Sequence, residues 1–162
     1  MKNLLTLLLF IISIVFNSHS QSTADYTITV NTIWNVAEHT SLPVNAHWSD
    51  LVGATHQSPN TVLEFDVPAP VTNGIKDVAE IGNDTNFQNE INTLITAGEA
   101  NQYLRQGFSP FAGNNSTSTL ANVSVNEAFP LITLVSMVAP SPDWFIAINS
   151  LNLRSGDDAI NN

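Results

Sequence analysis

"LITLVSMVAPSPDWF", Leu131 to Phe145, decides how the rest of the chain is read. From Leu131 to Val138 the run is apolar except for Thr133 and Ser136. Such a run, bounded by turn signals, is the pattern of a central strand covered on both faces. Pro140 and Pro142 lack the N–H that a ladder needs, so the strand must stop at a corner. "WFIAINSLNL", Trp144 to Leu153, then resumes a strand pattern and is expected to return beside its predecessor. Asp143 sits in the corner, and the residues alone leave it two readings. It can cap the turn by accepting a backbone N–H. It can instead be an oxygen ligand for a hard cation such as calcium, which gathers about six to eight oxygens from carboxylates and carbonyls.

Working outward, "YTITVNTIW" (Tyr26 to Trp34) alternates, with Tyr26, Ile28 and Val30 on one face and Thr27, Thr29 and Asn31 on the other. A shift of face is expected at Ile33 and Trp34. "TVLEFDV" (Thr61 to Val67) and "ANVSVN" (Ala121 to Asn126) read as further strands. Two helices are expected between them. One is Gly74 to Asn83, with Ile75, Val78, Ala79 and Gly82 on one face; the other is Asn86 to Ala100, with Phe87, Ile91, Leu94 and Ile95 at helical spacing. "FAGNNSTSTL", Phe111 to Leu120, reads as a polar loop. The pattern predicts a mostly β protein, an antiparallel β-sandwich with one or two short helices inserted.

The first twenty residues differ from the rest. A short basic start, an apolar run from Leu4 to Phe16 and small residues around Ser18 and Ser20 make residues 1–20 a signal peptide by pattern. The run is shorter than the roughly 20 residues that cross a bilayer, so no membrane span is expected after cleavage. Residues 21–162 are then expected to be one domain. The chain carries 14 acidic and 4 basic residues, one of the latter being Lys2. A surface this acidic excludes nucleic acid and anionic lipid as natural partners, because both are bound through clustered Lys and Arg. With no cysteine, thiolate metal sites, cysteine nucleophiles and disulfide staples are excluded together.

Among residues that could carry chemistry, His39, His47 and His56 lie at spacings that match no local metal motif, and hydrogen bonds to loop backbone are the expected role. Ser49 and Ser141 have histidines and acids elsewhere in the chain, but no G-x-S-x-G holds a serine on a strained turn. Glu80 follows Val78 and Ala79 on a short apolar element and is expected in an ion pair or hydrogen bond, with Lys76 or Arg105 as partner. No catalytic set emerges, and the chain is expected not to be an enzyme. Trp34 and Trp144 are expected in the core and Trp48, between His47 and Ser49, nearer the surface, where it could stack on a sugar. Asn83, Asn114, Asn115 and Asn122 head N-x-[ST] sequons.

Three segments, in order, resemble one family. "SMVAPSPDWF" is similar to the signature of the spondin domain family (F-spondin/mindin type). "NAHWSDLVGATHQ", Asn45 to Gln57, resembles its early His-Trp-Ser segment, and "GIKDVAEIG", Gly74 to Gly82, its Gly-hydrophobic-Lys stretch. The similarity covers about residues 25 to 153. It implies a β-sandwich akin to a C2 domain, in a secreted or, in a bacterial host, periplasmic protein of adhesion or matrix type. It also implies Ca2+ at one end of the sandwich, with Asp143 as a metal ligand. The family's other ligands lie in a later strand and loop, where this chain reads "LRSGDDAINN". The chain is therefore expected to lack the family's last strand and loop, as a truncated product or partial sequence. Its calcium site is expected to be incomplete, with Asp157 and Asp158 the acids remaining in the tail. The expected function is adhesion or binding of an extracellular protein or glycan. The alternative is an exported carbohydrate-binding module.

Overall fold

A computed structural model describes residues 22–65, 72–112 and 115–154; the signal-peptide segment, Asp66 and Val67 of the expected Thr61–Val67 strand, and the acidic tail lie outside them. The β1 strand (Ala24–Ile33) alternates half-buried and exposed residues along its length. It pairs antiparallel with β5 (Asn115–Val125) as a two-stranded ribbon. A five-stranded sheet is built on β6 (Leu131–Ala139). One edge of β6 pairs with β3 (Leu51–His56) and, past a short break, with β2 (His47–Trp48). Its other edge pairs with β7 (Phe145–Asn152), and β4 (Ala100–Gln106) lies outside β3. All pairings are antiparallel, as expected.

The large sheet is covered on both faces, which is why β3 is buried at every position and β6 at all but one. On one face, Leu51, Leu104, Ile132 and Leu134 meet Leu120 and Val123 of the ribbon, with Tyr26, Ile28 and Val30 packed alongside. On the other, Val52, Ala54 and Val135 meet Ile75, Val78, Phe87 and Ile91. Those four come from α2 (Asn73–Ile81) and α3 (Thr85–Ala97). The helices are thus a third layer, not an ornament on a sandwich. Two close approaches fix this layering. Gly53 lies beneath Leu134, and a Cβ there would overlap the Thr133 carbonyl and the Leu134 side chain. Gly74 lies against the α3 backbone at Phe87, and its N–H donates to Glu90 Oε1 at 2.8 Å. Thr72 Oγ1 caps α2 by accepting from the Ile75 N–H, and Gly82 ends that helix with φ of 64°. Gly82 is thus a cap and not part of the apolar face.

Four expectations change. Thr61–Phe65 is not a strand: Val62 and Leu63 are consecutive and both buried in the helix-side core, which alternation forbids. The segment 111–120 is not a loop, because β5 begins at Asn115. Ser116, Ser118 and Leu120 point inward while their neighbours face water. The small serines fill a face that the residue types had marked as polar, and Ser118 Oγ donates to the Gln106 carbonyl at 3.1 Å. No shift of face occurs at Ile33, which continues the alternation at 65% exposed beside buried Thr32. His56 lies at the end of β3, fully buried and not in the early loop region, although its ring meets loop backbone at Ser58 as expected.

Most buried polar groups are paired, and among the described residues Trp48 Nε1 and Thr55 Oγ1 are the buried side-chain atoms left without a partner. The His56 ring has Nδ1 at 2.9 Å from the Ser58 carbonyl and Nε2 at 2.8 Å from Thr133 Oγ1. Thr133 Oγ1 in turn accepts from the Ser150 N–H at 3.0 Å. Burial lowers the His56 pKa from the ordinary 6.5, against an opposing pull from the Ser58 carbonyl. On β4, Tyr103 donates its hydroxyl to Asp84 at 2.6 Å, and Arg105 Nε reaches Asp50 at 2.8 Å and Asp84 at 3.1 Å. Asp84 precedes α3, so this cluster ties the start of the helix to the sheet. Loss of solvent and the bond to Asp84 push the Tyr103 pKa up. Among the described residues β7 pairs with β6 alone, and Ile148 and Leu151 of β7 are exposed at 39% and 45%.

Phe87, 1% exposed, fills the seam between sheet and helices, so Phe87→Ala should lower unfolding free energy by about 3–5 kcal/mol in urea titrations. Ile81→Ala, on the solvent side at 69% exposed, should stay within about 0.5 kcal/mol. Because the folded state disfavours the His56 cation, its contribution is fully present above pH 6.5 and is lost as pH falls through the lowered folded value. Urea midpoints measured from pH 8 to pH 5 should fall more steeply for the parent than for His56→Gln.

Candidate functional site

The proline corner closes as a hairpin. The Val138 N–H donates to the Trp144 carbonyl at 2.9 Å, and the Trp144 N–H donates to Ser141 Oγ at 3.0 Å. Ser141 thus performs the turn-capping role that one reading gave to Asp143. Asp143 is exposed at the tip and makes no hydrogen bond among the described residues. No three His, Asp or Glu side chains gather as metal ligands among the described residues. Asp143 offers one carboxylate, far short of the about six to eight oxygens calcium takes, so the described residues alone do not fit the ion. Asp157 and Asp158 lie outside them.

Facing the corner is the segment that follows β1. Asn35 Oδ1 accepts from the Glu38 N–H and starts α1, the single turn Val36–His39. A cleft of about 520 Å³ lies between the two parts of the chain. Trp34, His39, Ser41 and Pro43 line it from the early segment; Val138, Pro140, Ser141, Pro142 and Trp144 line it from the corner. Its volume is within the range of roughly 300–1,000 Å³ typical of ligand pockets. Trp34 is half-buried and packs tilted at 5.3 Å on Trp48, which packs at 5.9 Å on Phe108.

Trp34 packs against the core as expected, but the assignments of Trp48 and Trp144 invert. Trp48 is 8% exposed, held in β2 opposite Val138, whereas Trp144 is 69% exposed. Polar flanks at His47 and Ser49 misled because both neighbours of a strand residue point to the opposite face. Trp144 lies just before β7 begins, beyond the cover of the core. The β2–β6 register, His47 to Ala139 and Trp48 to Val138, carries the early segment up to the corner. Both segments stood out as motifs; that long-range pairing is what makes them one site.

The remaining candidates are structural in placement. The His39 and His47 rings meet the carbonyls of Asn35 at 3.3 Å and Asn45 at 2.6 Å, the expected bonds to backbone. His47 also stacks on Phe111 at 4.7 Å. Ser49 Oγ accepts from the Met137 N–H at 2.9 Å, which stitches β2 to β6. Ser141 and His39 share the cleft, with no hydrogen bond joining them among the described residues. Glu80 pairs with Lys76 at 3.9 Å across one helical turn, the expected ion pair, but on an exposed surface.

Comparison with known proteins agrees with this arrangement. The Spondin_N family model matches residues 24–161. Spondin-2 of Homo sapiens is 33% identical over 146 residues, which is 85% of this chain and 42% of that protein. Spondin-2 of Rattus norvegicus is 36% identical over 112 residues, 68% of this chain and 32% of that protein. Spondin-1 of Xenopus laevis is 28% identical over 137 residues, 81% of this chain and 16% of that protein. The chain thus spans less than half the length of these relatives. With the family model covering nearly every residue from β1 onward, the chain belongs to the Spondin_N family.

Proposed function

We propose that this chain is a secreted, non-enzymatic spondin domain that binds an extracellular partner in adhesion. The match of the Spondin_N model over residues 24–161 carries this reading. Spondin relatives are secreted proteins of the extracellular matrix, and no described helix is long and apolar enough to cross a membrane. The acidic balance favours a neutral or basic partner. The carbohydrate-binding alternative loses Trp48 as its platform and would rest on Trp144. Wells coated with the chain should retain cells above an albumin-coated control, and soluble chain should compete that retention away. Turnover of ester or glycoside substrates that disappears in Ser49→Ala or Ser141→Ala would overturn the non-enzymatic part.

Calcium enters the proposal as a weak ligand, with Asp143 giving one carboxylate at the exposed tip of the corner. For a dissociation constant of about 1 mM, typical of the weaker extracellular modules, 10 mM calcium adds about 1.4 kcal/mol of stability. That raises the unfolding temperature by several degrees in a domain of this size. Calorimetry in chelator and in 10 mM calcium should show that rise in the parent and lose it in Asp143→Asn. Equal transitions in both media would remove calcium from the function.

A further inference from the structure

We infer that the cleft between Trp34 and Trp144 is a docking site for a proline-rich peptide in the extended polyproline conformation, with basic residues flanking the prolines. The inference rests on the partner-binding reading above and names the chemistry of one partner.

The lining carries the argument. Two indole rings, one half-buried and one 69% exposed, face a shared cleft with rigid proline walls. Aromatic-lined grooves take polyproline segments because the proline rings pack on the aromatic faces and the peptide arrives already ordered. Hydrogen-bonding capacity points the same way. Among the described residues, the polar side-chain groups on the lining residues are the indole N–H groups of Trp34 and Trp144, the hydroxyls of Ser41 and Ser141, and the His39 imidazole. Neither indole N–H makes a hydrogen bond among the described residues. The Ser141 oxygen already accepts from the Trp144 N–H, which leaves its O–H to donate. Among the described residues, no carboxylate or carboxamide side chain lines the cleft.

The two indole N–H groups and the Ser141 O–H are therefore donors in want of acceptors, beside a Ser41 hydroxyl that serves either way and a His39 ring whose Nδ1 already meets the Asn35 carbonyl. A run of prolines is the matching ligand, since each residue presents a carbonyl and none presents an N–H. Charge sets the flanks. Glu38 and Asp143, both exposed, adjoin lining residues in the chain, and among the described residues no Lys or Arg lines the cleft. Lysines beside the prolines would meet these acids.

The test is fluorescence anisotropy of two labelled synthetic peptides titrated with the full chain. One carries six prolines flanked by lysines, the other six prolines flanked by glutamates. The lysine-flanked peptide should bind saturably and at least threefold more tightly than the other at low salt. Trp144→Ala should weaken it at least tenfold, as loss of an aromatic anchor does, while its unfolding temperature stays that of the parent. No binding of either peptide, equal affinity for both, or undiminished binding by Trp144→Ala overturns the inference. So does Trp144-dependent binding of a neutral oligosaccharide that the peptide fails to displace, which would assign the cleft to glycan. Cell retention that survives Trp144→Ala would sink this inference alone and leave the adhesion reading standing.

Discussion

Everything in this fold follows from β6 being apolar on both faces. A strand that alternates needs one cover; a strand that does not needs two. The ribbon of β1 and β5 supplies one and the helix pair supplies the other. Gly53 then becomes obligatory, because Leu134 of β6 must lie flat across its neighbour. The same demand draws Val62 and Leu63 out of any strand and into the helix-side core. Removing either layer would leave apolar area in water at about 25 cal/mol per Å².

How much of this was legible depended on whether a residue's own chemistry matched its environment. β6, β7 and the longer helices α2 and α3 were readable because their apolar spacing is dense and local, whereas the single turn α1 was not. β3 and β4 were not. "LVGATH" contains a glycine and a histidine, and "ANQYLRQ" is largely polar. Each is a strand because of what it pairs with, and His56 is tolerable in the interior only because Thr133 and Ser58 meet its two nitrogens. β5 was half seen, since its inward serines carry no apolar signal. The site failed differently. Its parts were visible as motifs, yet the exposure of Trp48 and Trp144 turns on register, which no window of sequence contains.

The corner itself shows how an ending can become a surface. Two prolines stop the ladder by removing donors, and the same rings then stand as cleft walls with no hydrogen-bonding needs of their own. The turn is held by Ser141, which leaves Asp143 free at the tip. A carboxylate that makes no hydrogen bond among the described residues is available for electrostatic work, whether toward a cation or toward a basic partner.

β7 has a further consequence, in colloidal behaviour. Its sequence, FIAINSLN, holds no charge and no proline, the two devices that most often keep sheet edges from meeting. The rest of the chain is strongly acidic, with a formal net charge of −10. Two copies approaching edge to edge therefore face a long-range repulsion and a short-range attraction. Added salt weakens only the first, since the screening length falls from about 8 Å at physiological ionic strength to about 3 Å at 1 M. Raised salt is therefore expected to lower the solubility of this molecule, since it brings the uncharged strands within reach of one another.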